Sequence, residues 1–378
     1  MHSPSPVPRR PMTRAGGPLR LLIISASMGA GHDTVARELA RRAREQGHDA
    51  HVLDVLRLLP LGLGSGLRLF YQSSIRHYPW AYGGLYQALL RPGTGHRPNG
   101  VPLARLASSR LTESVEHTGP DVVVSVFHLA AQLTGHLRAL GRLRQPSAVF
   151  VTDFAVHRQW LHPGNDLYLC VTDDAARAVR GSTAVPVETT GPVVAPDFFR
   201  PAASAATWRQ RFEWYGPGRT PVLLSAGAWG AASGLDETAR LLSAAGYLPV
   251  VLCGRNERLR ARMARVPGTL VLGWVTDMPG LLRAARVMVD NAAGQTAVQA
   301  LASGLPVVGH RPLPGHGADG VRRMAALGVS ETAPDGTALL RALRRLTTDG
   351  AARDLRIAQG RGLFRGDALA RVAALAEA

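Results

Sequence analysis

A histidine at the end of a glycine-rich turn has a side chain suited to acid–base chemistry. The stretch Leu21–Ala43 reads LLIISASMGAGHDTVARELARRA: an apolar run, then Gly29, Gly31 and His32, then apolar residues at helical spacing. This pattern predicts a strand, a tight turn and a helix whose free N–H groups can face an anion. His32 opens that helix, where its imidazole can accept a proton from an attacking hydroxyl. A tight strand-to-helix connection with an incidental histidine explains the same residues.

Other chemical motifs are missing or incomplete. The turn lacks the Gly-Lys-Ser/Thr of a P-loop and the full Gly-x-Gly-x-x-Gly of a dinucleotide-binding turn. His157 and His162 flank Trp160 at a spacing that does not place both on one helical face. The pair Asp173-Asp174 is typical of a helix N-terminus. We therefore expect no metal site.

Short apolar runs alternate with helical segments along most of the chain. The predicted strands are Leu19–Ser25, Ala50–Asp54, Val122–Val126, Ala148–Thr152, Leu167–Val171, Pro221–Ser225, Leu248–Cys253, Thr269–Leu272, Arg286–Asp290 and Pro306–Gly309. The predicted helices are Thr34–Glu45, Leu103–His117, Asp236–Ala245, Glu257–Arg265, Met278–Ala285 and Thr296–Ser303. Strands that are apolar throughout and separated by helices indicate parallel sheets covered on both faces. The fold class is therefore α/β.

A stretch rich in proline and small residues, Pro192–Thr207, is typical of a linker between domains. We predict two Rossmann-like doubly wound parallel-sheet domains, residues 19–200 and 201–378, that face each other across a cleft. Residues 1–18 are predicted to be a disordered basic arm, and the last helix can pack back on the first domain. Ligands of such sheets bind at the carboxyl ends of the strands, so the predicted position of His32 is the mouth of the cleft.

Composition restricts the partners. The 378 residues are 46% hydrophobic and carry a formal net charge of +17, with arginine as the basic residue throughout. A cationic body favours anionic surfaces, and the chain has no zinc-finger spacing, helix-turn-helix signature or aromatic RNP strand. An anionic membrane is therefore preferred to nucleic acid as a partner. Cys170 and Cys253 lie in apolar runs, which is typical of buried thiols in a reducing compartment.

The distribution of apolar residues along the chain bears on its localisation. No apolar run approaches the roughly twenty residues that cross a bilayer, and the Pro- and Arg-rich start has no signal-peptide core. We expect a cytoplasmic protein that associates peripherally with the inner face of the cell membrane.

Several segments occur together in the order found in one family of glycosyltransferases. They include SASMGAGHDTVARELARRAREQGHDAHVLDVL, VFVTDFAVHRQWLHPGNDLYLCVTDDAARAV, TTGPVVAPDFF, VLLSAGAWGAAS, LGWVTDMPGLLRAARVMVDNAAGQTAVQALASGLPVV and PLPGHGADG. From about Leu19 to Leu327 the chain resembles the monogalactosyldiacylglycerol synthases and processive diacylglycerol glucosyltransferases, which are similar to glycosyltransferase family 28. The resemblance implies the two-domain GT-B fold and a metal-independent, inverting transfer of a hexose from a UDP-sugar to a lipid such as diacylglycerol. The UDP-sugar is then a co-substrate, and no other cofactor is expected.

The resemblance places the donor in the second half of the chain. One turn lies under the phosphates or sugar, one frames the uracil, and one begins the helix that meets the diphosphate. Their residues are, in that order, Gly227, Trp229 and Gly230; Gly273 and Val275; and Gly294, Gln295 and Thr296. Gln299 matches the acidic residue that holds the ribose hydroxyls, and His316 lies near the sugar hydroxyls. Gly31 of the first turn completes the implied donor contacts.

The resemblance places the acceptor in the first half. His32 matches the family's histidine, the favoured general base for the acceptor hydroxyl. Asp153 follows a predicted strand and is expected to orient His32 or the acceptor, and His128 follows another. The aromatic and cationic stretch from residue 56 to 92 suits a membrane interface, although an ordinary helical core explains the same residues. The residues predicted to face the acceptor or the membrane are Phe70, Tyr71, Trp80, Tyr82, His128 and Trp160.

The chain departs from the family pattern at the donor site. The family has Lys-Pro-Gly-Gly where this chain has Asn291-Ala292-Ala293-Gly294, a Glu in place of Gln299, and Gln-Glu in place of His316-Gly317. An amide still bonds a ribose, though less strongly than a carboxylate. We expect the helix N-terminus at Gly294–Thr296, aided by arginines, to stabilise the diphosphate. The alternatives are a GT-B glycosyltransferase of a non-lipid acceptor, a non-catalytic relative with a degraded donor site, a sugar-nucleotide epimerase and, last, a nucleic-acid binder.

Overall fold

The first of two parallel sheets is built from the amino-terminal half of the chain. The computed structural model describes residues 17–77, 101–232 and 234–378, so residues 1–16 of the predicted arm, Trp80 and Tyr82 lie outside the described part. The sheet has the order β2-β1-β3-β4-β5-β6. Its strands are β1 Arg20–Ser25, β2 Asp49–Asp54, β3 Val122–Ser125, β4 Ser147–Val151, β5 Leu167–Cys170 and β6 Val187–Thr189. Its helices are α1 Ala30–Glu45, α2 Leu63–His77, α3 Val101–Thr118, α4 His128–Ala139 and α5 Asp173–Arg180.

The second sheet is built from the carboxyl-terminal half and has the order β12-β11-β10-β7-β8-β9, again with parallel pairs. Its strands are β7 Thr220–Ser225, β8 Tyr247–Leu252, β9 Leu270–Leu272, β10 Val287–Asp290, β11 Val307–His310 and β12 Glu331–Ala333. Its helices are α6 Ser204–Tyr215, α7 Leu235–Ala244, α8 Glu257–Met263, α9 Met278–Ala284, α10 Gln295–Ala302, α11 His316–Ala326, α12 Gly336–Thr347, α13 Ala351–Arg361 and α14 Ala368–Glu377.

The central strands are buried on both faces, which explains their unbroken apolar sequences. In β1, Leu21 and Ile23 pack with Leu39 of α1, while Leu22 and Ile24 point to the opposite face and join a different apolar cluster. Successive side chains of a strand alternate between faces, and helices cover both faces of this sheet. The α/β class with two doubly wound parallel sheets is therefore confirmed.

The predicted strands are all present, within one or two residues at their ends. The edge strands β6 and β12 were missing from the prediction. Each has three residues and includes a glutamate, Glu188 or Glu331, so neither has the apolar run on which the prediction depended. A short, partly polar edge strand needs burial on one face only.

The chain crosses between the lobes after β6 and returns at its end. Helix α14 packs against α1, β3 and β4 of the first lobe, and Arg371 of α14 forms an ion pair of 2.8 Å with Glu188 of β6. A continuous cluster of buried apolar side chains includes Phe150 of the first sheet, Leu223 of the second and Leu369 of α14. None of the helices within the described ranges combines the length and apolarity that a membrane span needs.

Candidate active site

A cavity of about 1120 Å³ lies where the carboxyl ends of the two sheets meet. Loops after β1, β3 and β4 form one wall, and loops after β7, β9 and β10 form the opposite wall. This is the usual position of a ligand in open parallel sheets. The predicted site residues that line the cavity are Gly31, His32, Phe70, Tyr71, His128, Asp153, Gly227, Trp229, Gly273, Val275, Gly294, Gln295, Thr296, Gln299 and His316.

The imidazole of His32 is oriented by the backbone of the neighbouring strand. Its Nδ1 lies 2.9 Å from the carbonyl oxygen of Val126 and 3.3 Å from the hydroxyl of Thr152. A carbonyl oxygen can only accept a hydrogen bond, so Nδ1 carries the hydrogen and the neutral ring keeps its lone pair on Nε2. The ring of Phe127 packs edge-on against this imidazole, with centroids 5.0 Å apart. His32 therefore has the tautomer that a general base requires.

Asp153 follows β4 and is held by groups behind the cavity wall. Its Oδ2 accepts a hydrogen bond of 2.8 Å from the indole N–H of Trp160 and lies 3.6 Å from Nε2 of His157. Its Oδ1 lies 3.3 Å from the hydroxyl of Thr152. We expected Asp153 to orient His32, but the groups that contact Nδ1 of His32 are the carbonyl oxygen of Val126 and the hydroxyl of Thr152.

Trp160 does not line the cavity, in contrast to its predicted place among the acceptor residues. Its side chain is 0% exposed and packs within the apolar cluster that contains Tyr168 and Val149. The indole is large enough to fill that space, and its N–H finds the Asp153 carboxylate as partner. Trp160 supports Asp153 from behind.

Three further imidazoles surround His32, and burial keeps them neutral. Burial lowers the pKa of His128 to about 3, and the nearby His32 and His316 lower this pKa further in the same direction. Burial also lowers the pKa of His157 well below its usual value, and it lowers the pKa of His316 against the opposing influence of Asp153. These side chains therefore enter the cavity as neutral hydrogen-bonding groups at neutral pH.

The loop between β10 and α10 shapes the opposite wall. The buried carboxylate of Asp290 accepts hydrogen bonds from the backbone N–H groups of Ala292 and Ala293, at 3.0 and 2.6 Å. Ala293 has a φ of 53°, a left-handed conformation that an alanine rarely adopts. This turn brings the N-terminus of α10 to the cavity, and open space lies beside the Cα of Gly294. Burial raises the pKa of Asp290, against the backbone N–H groups that lower it.

The turn after β7 contributes Gly227 and Trp229 to the cavity, whereas Gly230 lies behind it. Gly230 has a φ of 62°, and a Cβ atom there would lie 2.5 Å from the Cβ of Asn256. Packing against Asn256, and not a donor contact, explains this glycine. The indole N–H of Trp229 donates a hydrogen bond of 2.7 Å to the carbonyl oxygen of Met28, which belongs to the opposite wall.

An apolar strip runs from the protein surface to His32. Leu67, Phe70 and Tyr71 of α2, Leu103 of α3 and Phe127 line the cavity on this side. Phe70 also leaves 61% of its side chain exposed to solvent. The cavity therefore opens to the outside along an apolar edge.

The charged side chains that line the cavity are carboxylates. They are Asp153, Asp197, Asp277 and Asp290, and none of the described residues that line the cavity is an arginine. The expected help of arginines at the diphosphate is thus not seen in the lining of the part of the chain that the structure describes. An anion bound here depends on backbone N–H groups and helix N-termini.

Comparisons of the sequence and of the structure with known proteins both find glycosyltransferases. A family model described as monogalactosyldiacylglycerol (MGDG) synthase matches residues 32–194. The processive diacylglycerol beta-glucosyltransferases of Bacillus pumilus and Bacillus subtilis are 24% and 25% identical over 322 and 320 residues, which cover 78% of this chain and 78% of each relative. The chain is thus similar to these glycosyltransferases over most of its length. The resemblance seen in the sequence motifs is confirmed.

Solved structures show that the fold is GT-B. The glycosyltransferase SnogD from Streptomyces nogalater superimposes with a TM-score of 0.59 at 17% identity, covering 95% of this chain and 98% of the other. HepE from Anabaena, in complex with UDP-glucose, has a TM-score of 0.54 at 12% identity, covering 95% and 98%. At such low identity these likenesses concern the fold alone, and the predicted GT-B fold is confirmed.

Sequence reasoning missed several groups around His32. Thr152 comes directly after β4 and Phe127 comes two positions after β3, and a place at the carboxyl end of an apolar strand could have marked both. His157 was considered only as a metal ligand. The Val126 carbonyl has no side-chain signal, because its role depends on the pairing of β3 beside β1.

Proposed function

We propose that the protein is an inverting glycosyltransferase that moves a hexose from a UDP-sugar to the hydroxyl of a lipid such as diacylglycerol. One observation carries the proposal: an imidazole with its lone pair on Nε2 shares a cavity with the N-terminus of α10. The imidazole can take the proton of a hydroxyl, and the helix N-terminus can bind a diphosphate. The names of the Bacillus relatives supply the acceptor class.

The reaction is a single displacement. Nε2 of His32 takes the proton of the acceptor hydroxyl, and the oxygen attacks the anomeric carbon from the face opposite UDP. The bond between the anomeric carbon and the phosphate oxygen breaks, and UDP leaves with the bonding electron pair. The hydrogen bond from Nδ1 to Val126 holds the ring in place while it becomes an imidazolium.

The leaving diphosphate gains negative charge as this bond breaks. The N–H groups at the N-terminus of α10, which have no side-chain cap, face this charge, and the dipole of the helix has its positive end there. We assign no role to a metal in this step, because these groups supply the electrostatic stabilisation without one.

The remaining donor contacts follow the family resemblance. The turn with Gly273 and Val275 frames the uracil, Gln299 holds the ribose hydroxyls, and His316 lies at the sugar. All four residues line the cavity on the wall that carries α10. The amide of Gln299 in place of a carboxylate makes the ribose contact weaker than that of the relatives.

The lipid approaches along the apolar strip of α2. Leu69 and Phe70 of α2 and Leu61 just before this helix are exposed, and Arg57 and Arg68 are close to them in sequence. Exposed apolar side chains with interspersed arginines suit the headgroup region of an anionic membrane. This surface would place the protein on the inner face of the cell membrane as a peripheral, cytoplasmic enzyme.

The experiment is a screen for UDP release from UDP-glucose, UDP-galactose and UDP-N-acetylglucosamine with diacylglycerol vesicles. Vesicles with and without anionic lipid are compared, and a soluble aglycone is the control acceptor. Release that depends on diacylglycerol, with a glycolipid product, supports the proposal. Release with the soluble aglycone alone contradicts the acceptor class, and UDP binding without release from any donor contradicts the catalytic role.

A further inference from the structure

One hydrogen bond joins the donor wall of the cleft directly to the loop that carries His32. The indole N–H of Trp229, in the turn after β7, donates to the carbonyl oxygen of Met28 at 2.7 Å. Met28 lies four positions before His32, and α1 begins between them at Ala30. The two bonded residues are 201 positions apart in the chain and lie on opposite walls of the cavity.

The backbone of the turn that carries Trp229 is held by the second lobe. The side-chain amide of Asn256 lies 3.4 Å from the Trp229 carbonyl oxygen, and the N–H of Arg255 donates to the carbonyl of Ala228 at 3.0 Å. Gly230, the next residue, has no room for a side chain. The indole is therefore anchored on a held turn that also lines the donor side of the cavity.

The Met28 loop is held from the other side by its own lobe. Asp54, at the end of β2, accepts hydrogen bonds from the backbone N–H and the hydroxyl of Ser27, at 3.3 and 2.7 Å. Trp229 holds the next residue of the loop from across the cleft, because its indole N–H donates a hydrogen bond to the carbonyl oxygen of Met28. Separation of the lobes would break this bond and leave one side of the loop without support.

Two other contacts between the lobes join different parts of the molecule. Arg323 of α11 pairs with Asp174 of α5 at 2.9 Å, and the Gln295 amide donates to the carbonyl of Val193 at 3.0 Å. The ion pair does not involve the loop of residues 26–31, whereas Gln295 packs beside Gly31 of that loop, with its side-chain hydrogen bond directed to Val193 instead. Of these three contacts, the Trp229 bond is the one that forms a hydrogen bond to this loop. Its loss therefore affects the loop itself as well as the adhesion of the lobes.

We propose that Trp229 is a positioning residue that couples the donor wall to the general base. When a nucleotide settles the turn Gly227–Gly230, the indole locks the Met28 loop and so fixes the first turn of α1, from which His32 projects. The inference rests on the proposed function, since it names the second lobe as the donor lobe. It implies that an occupied donor site prepares the base before the acceptor reacts.

Hydrogen–deuterium exchange of the full chain tests the hold itself without any ligand. In Trp229→Phe, which keeps the ring size but removes the donor, amides of residues 27–33 should exchange about three- to tenfold faster, the factor expected for one hydrogen bond. Trp214→Phe is the matched control, because Trp214 is 81% exposed and lies outside the cavity lining. Trp229→His, which keeps an N–H donor, should restore part of the protection. Equal exchange in Trp229→Phe and the wild type would overturn the proposal.

Addition of UDP to the wild type tests the coupling and does not depend on the folding of any variant. UDP should slow exchange both in residues 291–297 and in residues 27–33, and in Trp229→Phe only the first segment should respond. Protection confined to residues 291–297 in the wild type contradicts the coupling. Protection of neither segment contradicts the UDP site of the proposed function, and the ligand-free comparison then decides the role of Trp229. With a working donor and acceptor, Trp229→Phe should lower kcat more than it weakens UDP binding.

Discussion

The Nδ1 atom of His32 lies 2.9 Å from the carbonyl oxygen of Val126. The partner that sets the tautomer of the base is thus a backbone atom at the end of β3, and that atom is itself placed by strand pairing, since the Val126 N–H donates to Ile24 at 2.9 Å. A side-chain carboxylate in this place would stabilise the imidazolium by charge, whereas a carbonyl orients the ring and adds only a dipole. The orientation of the His32 ring therefore depends on the pairing of the strands.

Removal of this imidazole should abolish most of the turnover without harming nucleotide binding. For His32→Ala we expect kcat to fall by about 10²- to 10⁴-fold, the usual contribution of a general base. UDP affinity, measured by calorimetry, should stay within about twofold, because α10 and the turns of the second lobe make those contacts. His51→Ala is the matched control, since His51 is an exposed histidine of β2 outside the cavity lining. A variant with normal kcat and weakened UDP binding would remove His32 from the chemistry.

The neutral imidazoles predict a loss of stability in mild acid. The pKa of His128 is about 3 in the folded protein against 6.5 for a free imidazole, and the pKa of His157 and His316 is also lowered. Below the unfolded pKa the unfolded chain binds more protons than the folded chain, so the free energy of unfolding falls as the pH falls. Each such group can lower the free energy of unfolding by at most about 1.4 kcal/mol per pH unit.

His157→Gln should flatten this pH dependence, because the amide keeps a polar group in place but does not titrate. Thermal melts between about pH 7 and pH 5 measure the effect, and the fall of Tm should be smaller in the variant than in the wild type. His51→Gln serves as the control, since His51 is exposed on β2 and lies outside the group of imidazoles at the cavity. Parallel Tm profiles of His157→Gln and the wild type would show that His157 does not remain neutral in the folded protein.

Asp290 should matter for nucleotide binding through the backbone that it holds. Asp290→Ala leaves the N–H groups of Ala292 and Ala293 without their acceptor, and the left-handed Ala293 loses its support. We expect UDP to bind about tenfold more weakly, as for the loss of one or two hydrogen bonds in the loop. Asp335→Ala is the control: it removes a comparable carboxylate cap, on α12, that does not line the cavity. Equal UDP affinity in both variants would show that the loop keeps its shape without Asp290.

Features that depend on neighbours in sequence could be predicted, and features that depend on packing could not. The apolar run of β1 and the helical spacing of α1 are local, so both elements and the turn between them followed from the residues. The ends of parallel strands then placed His32, His128 and Asp153 on one wall. The Val126 carbonyl carries no side-chain signal, and its contact with His32 spans 94 positions.

Packing also changed the roles of two predicted residues. Trp160 and Gly230 have the types expected at an acceptor and a phosphate site, yet one fills the core behind Asp153 and the other makes room for Asn256. A sequence motif indicates that a residue is near a site. Whether its side chain faces the cavity or the core depends on how the surrounding elements pack. The same limit applies to the bond between Trp229 and Met28, which joins two lobes.

A carboxylate at position 299 should strengthen the hold on the ribose. In Gln299→Glu we expect UDP to bind about three- to tenfold more tightly at low salt, because a hydrogen bond to a charged acceptor is roughly twice as strong as a neutral one. The ligand control is 2′,3′-dideoxy-UDP, which lacks the hydroxyls and should gain nothing. An equal gain for both nucleotides, or none for UDP, would contradict the assignment of Gln299 to the ribose.

The exposed face of α2 should govern binding to membranes. Leu69 is 62% exposed and adjacent to Phe70, which also lines the cavity, so both side chains are placed to enter the headgroup region. Leu69→Asp removes one apolar anchor and adds a charge that anionic lipid repels, and we expect sedimentation with anionic vesicles to weaken about tenfold or more. Leu355→Asp is the matched control, because Leu355 is 53% exposed on α13. UDP affinity should be unchanged in both variants. If Leu355→Asp weakens vesicle binding as much as Leu69→Asp, the contact depends on overall charge and α2 is not the membrane-facing surface.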